Sequence, residues 1–332
     1  VEMTGSAWMS ASSVRSAAAS TASRAATSSS AARPPDAVDT ANPDGSSTEP
    51  ARLTPGEPYA LAWAKWNVGT PNRLGGANRY ATAAVVSRTG YGSNVPAAYV
   101  ATGENFPDAL AAAAAAASDG APLLLVEHDR IPPETAGELS RLRPQRIYVV
   151  GGPGAISDGV LTDLDPYTAG PVQRLGGADR YATAAAVSFD AFGSHAPVAF
   201  IATGQNFPDA LAGGPAAALL GGPVLLTKYA ELPAATSDEL SRLGPDEIVI
   251  LGGAAGAVSS QVESALRAYS PRVSRVAGAD RWETAAAVAA RFFPSASDIF
   301  LATGRNYPDA LAGGAYAGRD RRQRSSRSHR SL

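Results

Sequence analysis

One long phrase occurs three times in this chain, at a spacing of 101 residues. It reads R-L-G-G-A-(N/D)-R-Y-A-T-A-A twice and R-V-A-G-A-D-R-W-E-T-A-A once, with copies that begin at Arg73, Arg174 and Arg275. A second phrase, A-T-G-x-N-(F/Y)-P-D-A-L, follows each copy and begins at Ala101, Ala202 and Ala302. A period of about 100 residues is the size of a small domain, whereas solenoids and propellers repeat every 20 to 50 or so. The sequence therefore predicts a tandem array of small domains, which we call modules 1, 2 and 3.

The repeat sets the module boundaries at residues 73–173, 174–274 and 275–318. Module 3 is incomplete, because the pattern stops at Gly318 and residues 319–332 hold six arginines and one aspartate. Such a basic tail fits a nucleic-acid or surface patch, or else a shifted reading frame or truncated gene. Its start inside an expected crossover favours the second explanation. We expect the tail to be disordered, and the partial module to borrow surface from modules 1 and 2 or remain loose.

The chain before the repeats differs in composition. Residues 1–52 are rich in Ser, Ala, Thr and Pro, which predicts a disordered leader. Residues 53–72 contain alternating large side chains at Tyr59, Leu61 and Trp63, which predicts a capping segment packed on module 1. No secretory signal is visible in the sequence, and no apolar run approaches the roughly 20 residues that a membrane span needs.

Within a module, short apolar runs alternate with helical patterns. Ala98–Ala101 and Arg146–Val150 read as strands, and Pro132–Leu142 and Arg180–Phe192 read as helices. Alternation of this kind predicts parallel strands joined by right-handed crossovers, with helices on both faces of the sheet. Each module is therefore expected to be a small parallel-sheet α/β sandwich.

Composition excludes several classes of function. The chain has no cysteine, so it can form neither a disulfide framework nor a thiolate metal site. The net charge of -2 offers no bulk positive field for nucleic acid. The glycine pairs Gly151-Gly152 and Gly252-Gly253 follow strands but do not match a dinucleotide-binding fingerprint. With no catalytic motif, metal cluster or cofactor motif in the sequence, we expect a non-catalytic protein.

The second phrase has two interpretations. In the first, Asn105 caps a helix, Pro107 occupies its first turn, and Asp108 lies at the positive end of the helix dipole. Helix stability alone then explains why these residue types occur. Alternatively, the carboxyl ends of parallel strands are where α/β folds bind ligands. The candidate ligand-binding residues of this phrase are its three asparagines: Asn105, Asn206 and Asn306.

The first phrase places an arginine in the first turn of each predicted helix, at Arg79, Arg180 and Arg281. A cation opposes the helix dipole there, so each arginine should have a compensating partner. That partner is either a carboxylate such as Asp108, giving a structural ion pair, or an anionic ligand. The preceding Asn78, Asp179 or Asp280 should cap the helix, and Asp280 with Glu283 forms a capping-box pattern.

Together with the P-(L/V)-L-L and (V/L)-G-G motifs, the two phrases resemble the cell wall binding repeat 2 family of Gram-positive bacteria. The resemblance covers roughly residues 73–318. It implies Toprim-like α/β modules packed in threes, and surface proteins or wall hydrolases held non-covalently on the envelope. It also implies an extracellular location at the cell wall or cell surface, and anionic wall polymers as partners.

By the same resemblance, the polymer site is lined by the three arginines and by the P-x-L-L leucines: Leu124, Leu125, Leu225 and Leu226. The expected function is non-catalytic attachment to the wall through tandem modules, which raise avidity. The alternatives are a wall amidase or glycosidase, or its anchoring fragment, and a structural surface-layer component. The incomplete module 3 puts a three-module assembly in question. No catalytic domain accompanies the repeats, so a catalytic or surface domain that such modules usually anchor is either absent or encoded elsewhere.

Overall fold

A computed structural model describes residues 4–10, 72–206 and 208–328 of the chain. Its strands are β1 Thr4–Ser10, β2 Ala98–Thr102, β3 Leu123–Val126, β4 Ile147–Val150, β5 Val172–Leu175, β6 Val198–Thr203, β7 Val224–Thr227, β8 Glu247–Leu251, β9 Arg272–Val276 and β10 Ser295–Ala302. Its helices are α1 Arg79–Gly90, α2 Pro107–Asp119, α3 Pro133–Leu142, α4 Asp158–Leu164, α5 Arg180–Ala191, α6 Pro208–Leu220, α7 Ala234–Leu243, α8 Ser260–Leu266, α9 Arg281–Phe292 and α10 Pro308–Ser328. The predicted capping segment lies outside the described residues, apart from its last residue.

Modules 1 and 2 each contain a four-stranded parallel sheet, with strand orders β3-β2-β4-β5 and β7-β6-β8-β9. The first strand of each module lies inside its sheet. Because all the strands are parallel, a crossover helix precedes each later strand. β2 and β6 are buried along their whole length, because helices cover both faces. This arrangement confirms the predicted α/β sandwich.

Each module contributes one small-residue helix to a shared centre. α2, α6 and α10 follow the second phrase in modules 1, 2 and 3, and they pack against one another. Residues 109–117, 210–218 and 310–318 of these helices are mostly alanine and glycine, which lets the helix backbones approach closely. Gly318 shows how close: a Cβ there would lie 2.7 Å from the Cβ of Ala117. No helix in the described part of the chain is long and apolar enough to cross a membrane.

Module 3 consists of α9, β10 and α10, and it shares surfaces with both other modules. Leu311 and Ala315 of α10 are fully buried, in a hydrophobic cluster that also contains Ala112 of module 1 and Ala216 of module 2. The partial module therefore borrows surface from its neighbours, which was one of the two outcomes that its small size predicted.

Two segments differ from the disorder that their composition predicted. Residues 4–10, inside the expected leader, form β1, which pairs in parallel with β10. β1 contacts α9, as β3 contacts α1 and β7 contacts α5, so it takes the place that the P-x-L-L strand has in the complete modules. The open edge of β10 explains this pairing, which no local pattern reveals. Residues 319–328 of the expected tail continue α10, whose first three turns are anchored in the shared core.

Candidate functional site

The first phrase builds the start of one helix in each module. Asn78 Oδ1 accepts the N–H of Ala81 at 2.8 Å, and Asp179 and Asp280 likewise accept backbone N–H groups of the first turns of α5 and α9. The predicted caps are therefore present. Glu283 departs from a strict capping box, because its carboxylate accepts the N–H of Ala279 and not that of the cap residue.

The arginines of this helix start hold the turn after the central strand. Arg180 Nη1 donates to the carbonyl of Gly204 at 2.6 Å, and Arg281 Nη1 donates to that of Gly304 at 2.9 Å. Arg79 makes the same bond to Gly103. The sequence suggested a carboxylate or a ligand as the partner. The structure shows a backbone carbonyl of the second phrase in the same module as the hydrogen-bond acceptor, and it also places Arg180 and Arg281 where they act on the carboxylates of Asp108 and Asp209. The bond fixes the orientation of each half-buried guanidinium at the module surface.

A threonine joins the two phrases across the boundary between modules. The hydroxyl of Thr183 accepts the N–H of Gly177 at 3.2 Å and donates to the carboxylate of Asp108 in the preceding module. Thr284 makes the equivalent bonds to Gly278, at 3.1 Å, and to Asp209. The two phrases thus recur at equal spacing in the chain, and each pair is joined by a contact between one module and the next.

Both aspartates at these boundaries are largely enclosed. Burial raises the pKa of Asp108 above its ordinary value, and the Thr183 hydroxyl and the Arg180 cation only partly offset that increase. Burial also raises the pKa of Asp209, against the opposing effects of Thr284 and Arg281. These carboxylates, which the sequence suggested as helix-dipole partners, are therefore built into the module boundaries.

The boundary from module 3 back to module 1 uses an aromatic residue. The hydroxyl of Tyr307 donates to the carbonyl of Gly103 at 3.1 Å and lies 3.4 Å from Arg79 Nη1. Its ring meets Phe106 edge-on, with centroids 5.8 Å apart. The three modules therefore contact one another in a closed cycle, although module 3 is incomplete.

The three candidate asparagines lie at the surface of these boundaries, and all are exposed. The Oδ1 atoms of Asn105 and Asn306 accept the N–H of the following residue, at 3.0 Å in both modules. Asn105 does not cap α2, because the cap position is taken by Phe106 and its side chain makes no capping bond. The amides of Asn105 and Asn306 are thus held next to the turns that the arginines fix.

The candidate leucines occupy a different environment. Their side chains are 0% exposed and form the middle of β3 and β7: Leu124, Leu125, Leu225 and Leu226. In this conformation they pack the sheet cores and are separated from solvent. The structure brings the arginines and asparagines together at the module surface, but not these leucines.

Sequence reasoning missed the role of the arginine that opens each phrase. Arg174 donates to the carbonyls of Gly151 and Ile156, at 2.7 and 2.9 Å, and forms an ion pair with Asp158. Arg275 makes equivalent bonds to the second glycine-pair loop and pairs with Glu263 at 2.7 Å. The glycine pairs therefore lie in structural loops whose carbonyls accept hydrogen bonds from an arginine. The sequence signal for this role was that a glycine pair precedes both the second and the third copy of the first phrase.

An open pocket lies at the boundary between modules 2 and 3. It is lined by Pro208 and Leu211 from α6, by Arg281 and Trp282 from α9, and by Gly304 of the following turn. Trp282 stands where modules 1 and 2 have Tyr80 and Tyr181. Its indole Nε1 is buried and has no hydrogen-bond partner among the described residues.

Two known structures share this architecture. Cwp6 from Clostridium difficile superposes with a TM-score of 0.66 at 28% identity, covering 74% of this chain and 40% of that chain. Cwp8 from the same organism superposes with a TM-score of 0.64 at 27% identity, covering 74% of this chain and 42% of that chain. The tandem packing of modules is therefore shared with larger proteins.

Curated relatives cover a similar part of the chain. The N-acetylmuramoyl-L-alanine amidase LytC of Bacillus subtilis (strain 168) is 33% identical over 245 residues, which is 74% of this chain and 48% of the amidase. The amidase enhancer of the same strain is 31% identical over 257 residues, 77% of this chain and 34% of the enhancer. The chain thus spans about half the length of these relatives or less.

The family comparison covers all three modules. The model of cell wall binding domain 2 (CWB2) matches residues 73–161, 174–263 and 275–323. Each matched segment contains both repeated phrases, and hence the arginine, threonine and glycine contacts described above. The chain belongs to the cell wall binding domain 2 family.

Proposed function

We propose that this chain attaches non-covalently to the bacterial cell wall by binding anionic wall polymers at its module boundaries, without catalysing a reaction. The observation that carries the proposal is the threefold recurrence of one surface group: an arginine held by a glycine carbonyl beside an exposed asparagine. Membership of a cell wall binding family supports it. The location proposed is accordingly the cell wall or cell surface.

The geometry of the arginines suits recognition of acidic oxygens. A guanidinium carries five N–H donors in a rigid plane, and the glycine carbonyl takes one of them. The plane is therefore oriented before a ligand arrives, which reduces the entropy lost on binding. A phosphate or carboxylate oxygen meeting the outer edge of this plane gains a charge-assisted hydrogen bond. The neighbouring asparagine amide adds neutral polar contacts for the sugar or polyol part of a polymer.

Recurrence of the group matters because wall polymers are themselves repetitive. One charge-assisted contact at a solvent-exposed site binds weakly and is screened by salt. When one polymer chain reaches two sites together, the second contact is intramolecular and avidity rises by about 10² or more. Weak sites in a closed cycle of modules can thus hold the protein on a wall and still release single polymer units.

The test compares wall retention of two matched triple variants. Arg79, Arg180 and Arg281 are changed to Ala in one, and the exposed Arg143, Arg267 and Arg272 in the other, so both lose three positive charges. We expect the first to lose retention on purified Gram-positive walls and the second to keep it. Retention of the unchanged protein should weaken with added salt and on walls stripped of their anionic polymers. Full retention by a folded first variant contradicts the proposal.

A second variant covers the case in which the arginine changes unfold the protein. The three exposed asparagines, Asn105, Asn206 and Asn306, are changed to Ala, which leaves the arginine–carbonyl bonds in place. Retention should then fall while the circular dichroism spectrum stays unchanged, and undiminished retention again contradicts the proposal. Release of sugar reducing ends or free amino groups from the walls would favour the amidase or glycosidase alternative. Ordered self-assembly without polymer would favour the surface-layer alternative.

A further inference from the structure

The three module boundaries share a design but differ in charge. The residue after the glycine that accepts the arginine bond is Glu104 in module 1, Gln205 in module 2 and Arg305 in module 3, and all three are exposed. Near Tyr80 of module 1, the carboxylates Glu127 and Glu104 both raise the tyrosine pKa, after burial as the main cause. The boundary that module 3 forms with module 2 therefore carries an extra cation, whereas the boundary that module 3 forms with module 1 carries carboxylates.

The same boundary holds the open pocket and an unusual hydrogen-bond donor. Trp282 replaces a tyrosine, and its indole N–H is buried without an acceptor among the described residues. A buried donor left without a partner is unfavourable, because it has lost its bonds to water. Arg281 of α9 lines the pocket. Arg305 comes directly after the lining residue Gly304 in the chain. Pro208, Leu211 and Ala285 form an apolar part of its lining.

We propose that this pocket is the anchoring subsite of the chain, where an acidic group of the polymer, phosphate or carboxylate, accepts a hydrogen bond from Trp282 and faces Arg305. The inference rests on the proposed wall binding and assigns unequal roles to the three boundaries. Trp282 and Arg305 are then the specificity-determining residues. The other two boundaries extend the contact along the polymer.

The subsite is tested with four single variants of the whole chain. Trp282→Phe removes the indole donor and keeps an aromatic ring, and its control Tyr181→Phe removes a hydroxyl at the equivalent place. Arg305→Gln removes the extra cation, and its control Glu104→Gln removes a charge at the equivalent place. We expect half-saturation of wall binding to need about fivefold more protein for each pocket variant, from the loss of one hydrogen bond or ion contact. The controls should stay within about twofold.

A direct readout follows the indole N–H itself. Its ¹⁵N resonance is assigned by its loss in Trp282→Phe, and its hydrogen exchange is measured with and without polymer. Poly(glycerol phosphate) and polygalacturonate serve as separate probes, so that the two arms distinguish a phosphate from a carboxylate. Slower exchange and a shifted resonance with one of them support the subsite and name its chemistry.

The outcomes separate this inference from the function on which it rests. If the protein binds walls but neither probe changes the Trp282 resonance, the subsite is wrong and the wall-binding proposal stands. If the protein fails to bind walls at all, the proposed function fails first. Should Trp282→Phe unfold, the Arg305→Gln variant and the indole exchange of the unchanged protein decide, and unchanged values for both overturn the inference.

Discussion

At the scale of residues, the repeated phrases are explained by contacts between modules. The Thr183 hydroxyl uses both of its hydrogen-bonding roles, accepting from Gly177 of its own module and donating to Asp108 of the previous one. Gly177 must be glycine, because a Cβ there would lie 2.4 Å from the Cβ of Ala182. Gly177 is constrained by a local neighbour, whereas Thr183 and Asp108 are 75 residues apart in the chain, so the recurrence of these residues reflects the assembly of modules.

The enclosed aspartates give a testable dependence on pH. A carboxyl whose pKa is raised in the folded state binds its proton more tightly there than in the unfolded chain. The free energy of unfolding should therefore fall as pH rises from about 4, the ordinary aspartate value, through the raised pKa. Changing Asp108 and Asp209 to Asn removes this titration and should flatten the profile. Urea unfolding between about pH 4 and 8 measures it, with the exposed Asp163→Asn as the charge control.

A profile of the double Asn variant that declines as steeply as that of the unchanged protein would contradict the assignment. It would mean that other groups carry the pH dependence. The Asn side chain still accepts from the threonine hydroxyl, so the boundary contact itself is preserved in this test.

At the scale of elements, local patterns predicted most of the sheet and helix boundaries. The strand predicted over residues 98–101 is observed over 98–102, and the helix predicted over 180–192 ends one residue earlier. These elements are predictable because their apolar periodicity is local. The pairing of β1 with β10 was not predictable in this way, since it joins segments that lie more than 290 residues apart in the chain.

The candidate site likewise contains features that the sequence predicted and features that it did not. The helix caps at Asn78, Asp179 and Asp280 follow from residue type and position, and they were predicted. The glycine carbonyls that accept from the arginines were not predicted, because a backbone carbonyl has no signature in the sequence. A nearby carboxylate was predicted, and Asp108 does interact with Arg180. The P-x-L-L leucines came from a resemblance, and a resemblance does not distinguish a motif that packs the core from one that contacts a ligand. In the structure their side chains are buried in the sheets.

A buried carboxylate joins two helices of module 1 and gives a second prediction. Glu138 on α3 is fully enclosed and accepts hydrogen bonds from Ser87 and Arg88 of α1, at 2.6 and 3.0 Å, and from Arg141. Burial opposes its charge, but these bonds, led by that from Arg141, outweigh burial and lower the pKa of Glu138. We expect Glu138→Gln to cost about 2 kcal/mol of unfolding free energy at pH 7, the size of one hydrogen bond to a charged group.

The sign of the pH effect is opposite to that of the aspartates. A lowered carboxylate pKa stabilises the fold above the ordinary glutamate value of about 4.3, and the stability is lost as pH falls through the lowered pKa. The difference between Glu138→Gln and the unchanged protein should therefore shrink in acid. Glu104→Gln, at an exposed position of the same module, is the control. A constant difference from pH 7 to pH 3 or so would contradict the prediction.

At the scale of the whole molecule, the modules are structurally dependent on one another. One hydrophobic cluster includes Leu110 of module 1, Ala216 of module 2 and Leu311 of module 3. The three small-residue helices meet inside it, so the boundary sites are held in fixed relative positions. A rigid spacing of binding sites is what allows a repetitive polymer to engage more than one of them. Stability of the shared centre and retention on the wall should therefore be linked.

The shared centre can be tested with one substitution made at two places. At Gly318 a new Cβ would lie 2.7 Å from the Cβ of Ala117 and 3.1 Å from that of Ala218, and neither can rotate away. At Gly214 a new Cβ meets nothing nearer than the Cβ of Ala113 at 3.9 Å, an ordinary contact. Both glycines lie in helices, so each Gly→Ala change gains about 1 kcal/mol of helix propensity. Only at Gly318 should overpacking, which costs about 1–3 kcal/mol, outweigh that gain.

Thermal unfolding should therefore separate the two variants. Because about 1 kcal/mol shifts the Tm of a folded unit of some 150–250 residues by roughly 2–4 °C, Gly318→Ala should lower the Tm by a few degrees and Gly214→Ala should leave it equal or higher. The unfolding of Gly318→Ala should remain a single transition, since the strain falls on helices of modules 1, 2 and 3 together. Two separated transitions, or equal Tm values for both variants, would show that the modules unfold independently and that α10 is not part of a common core.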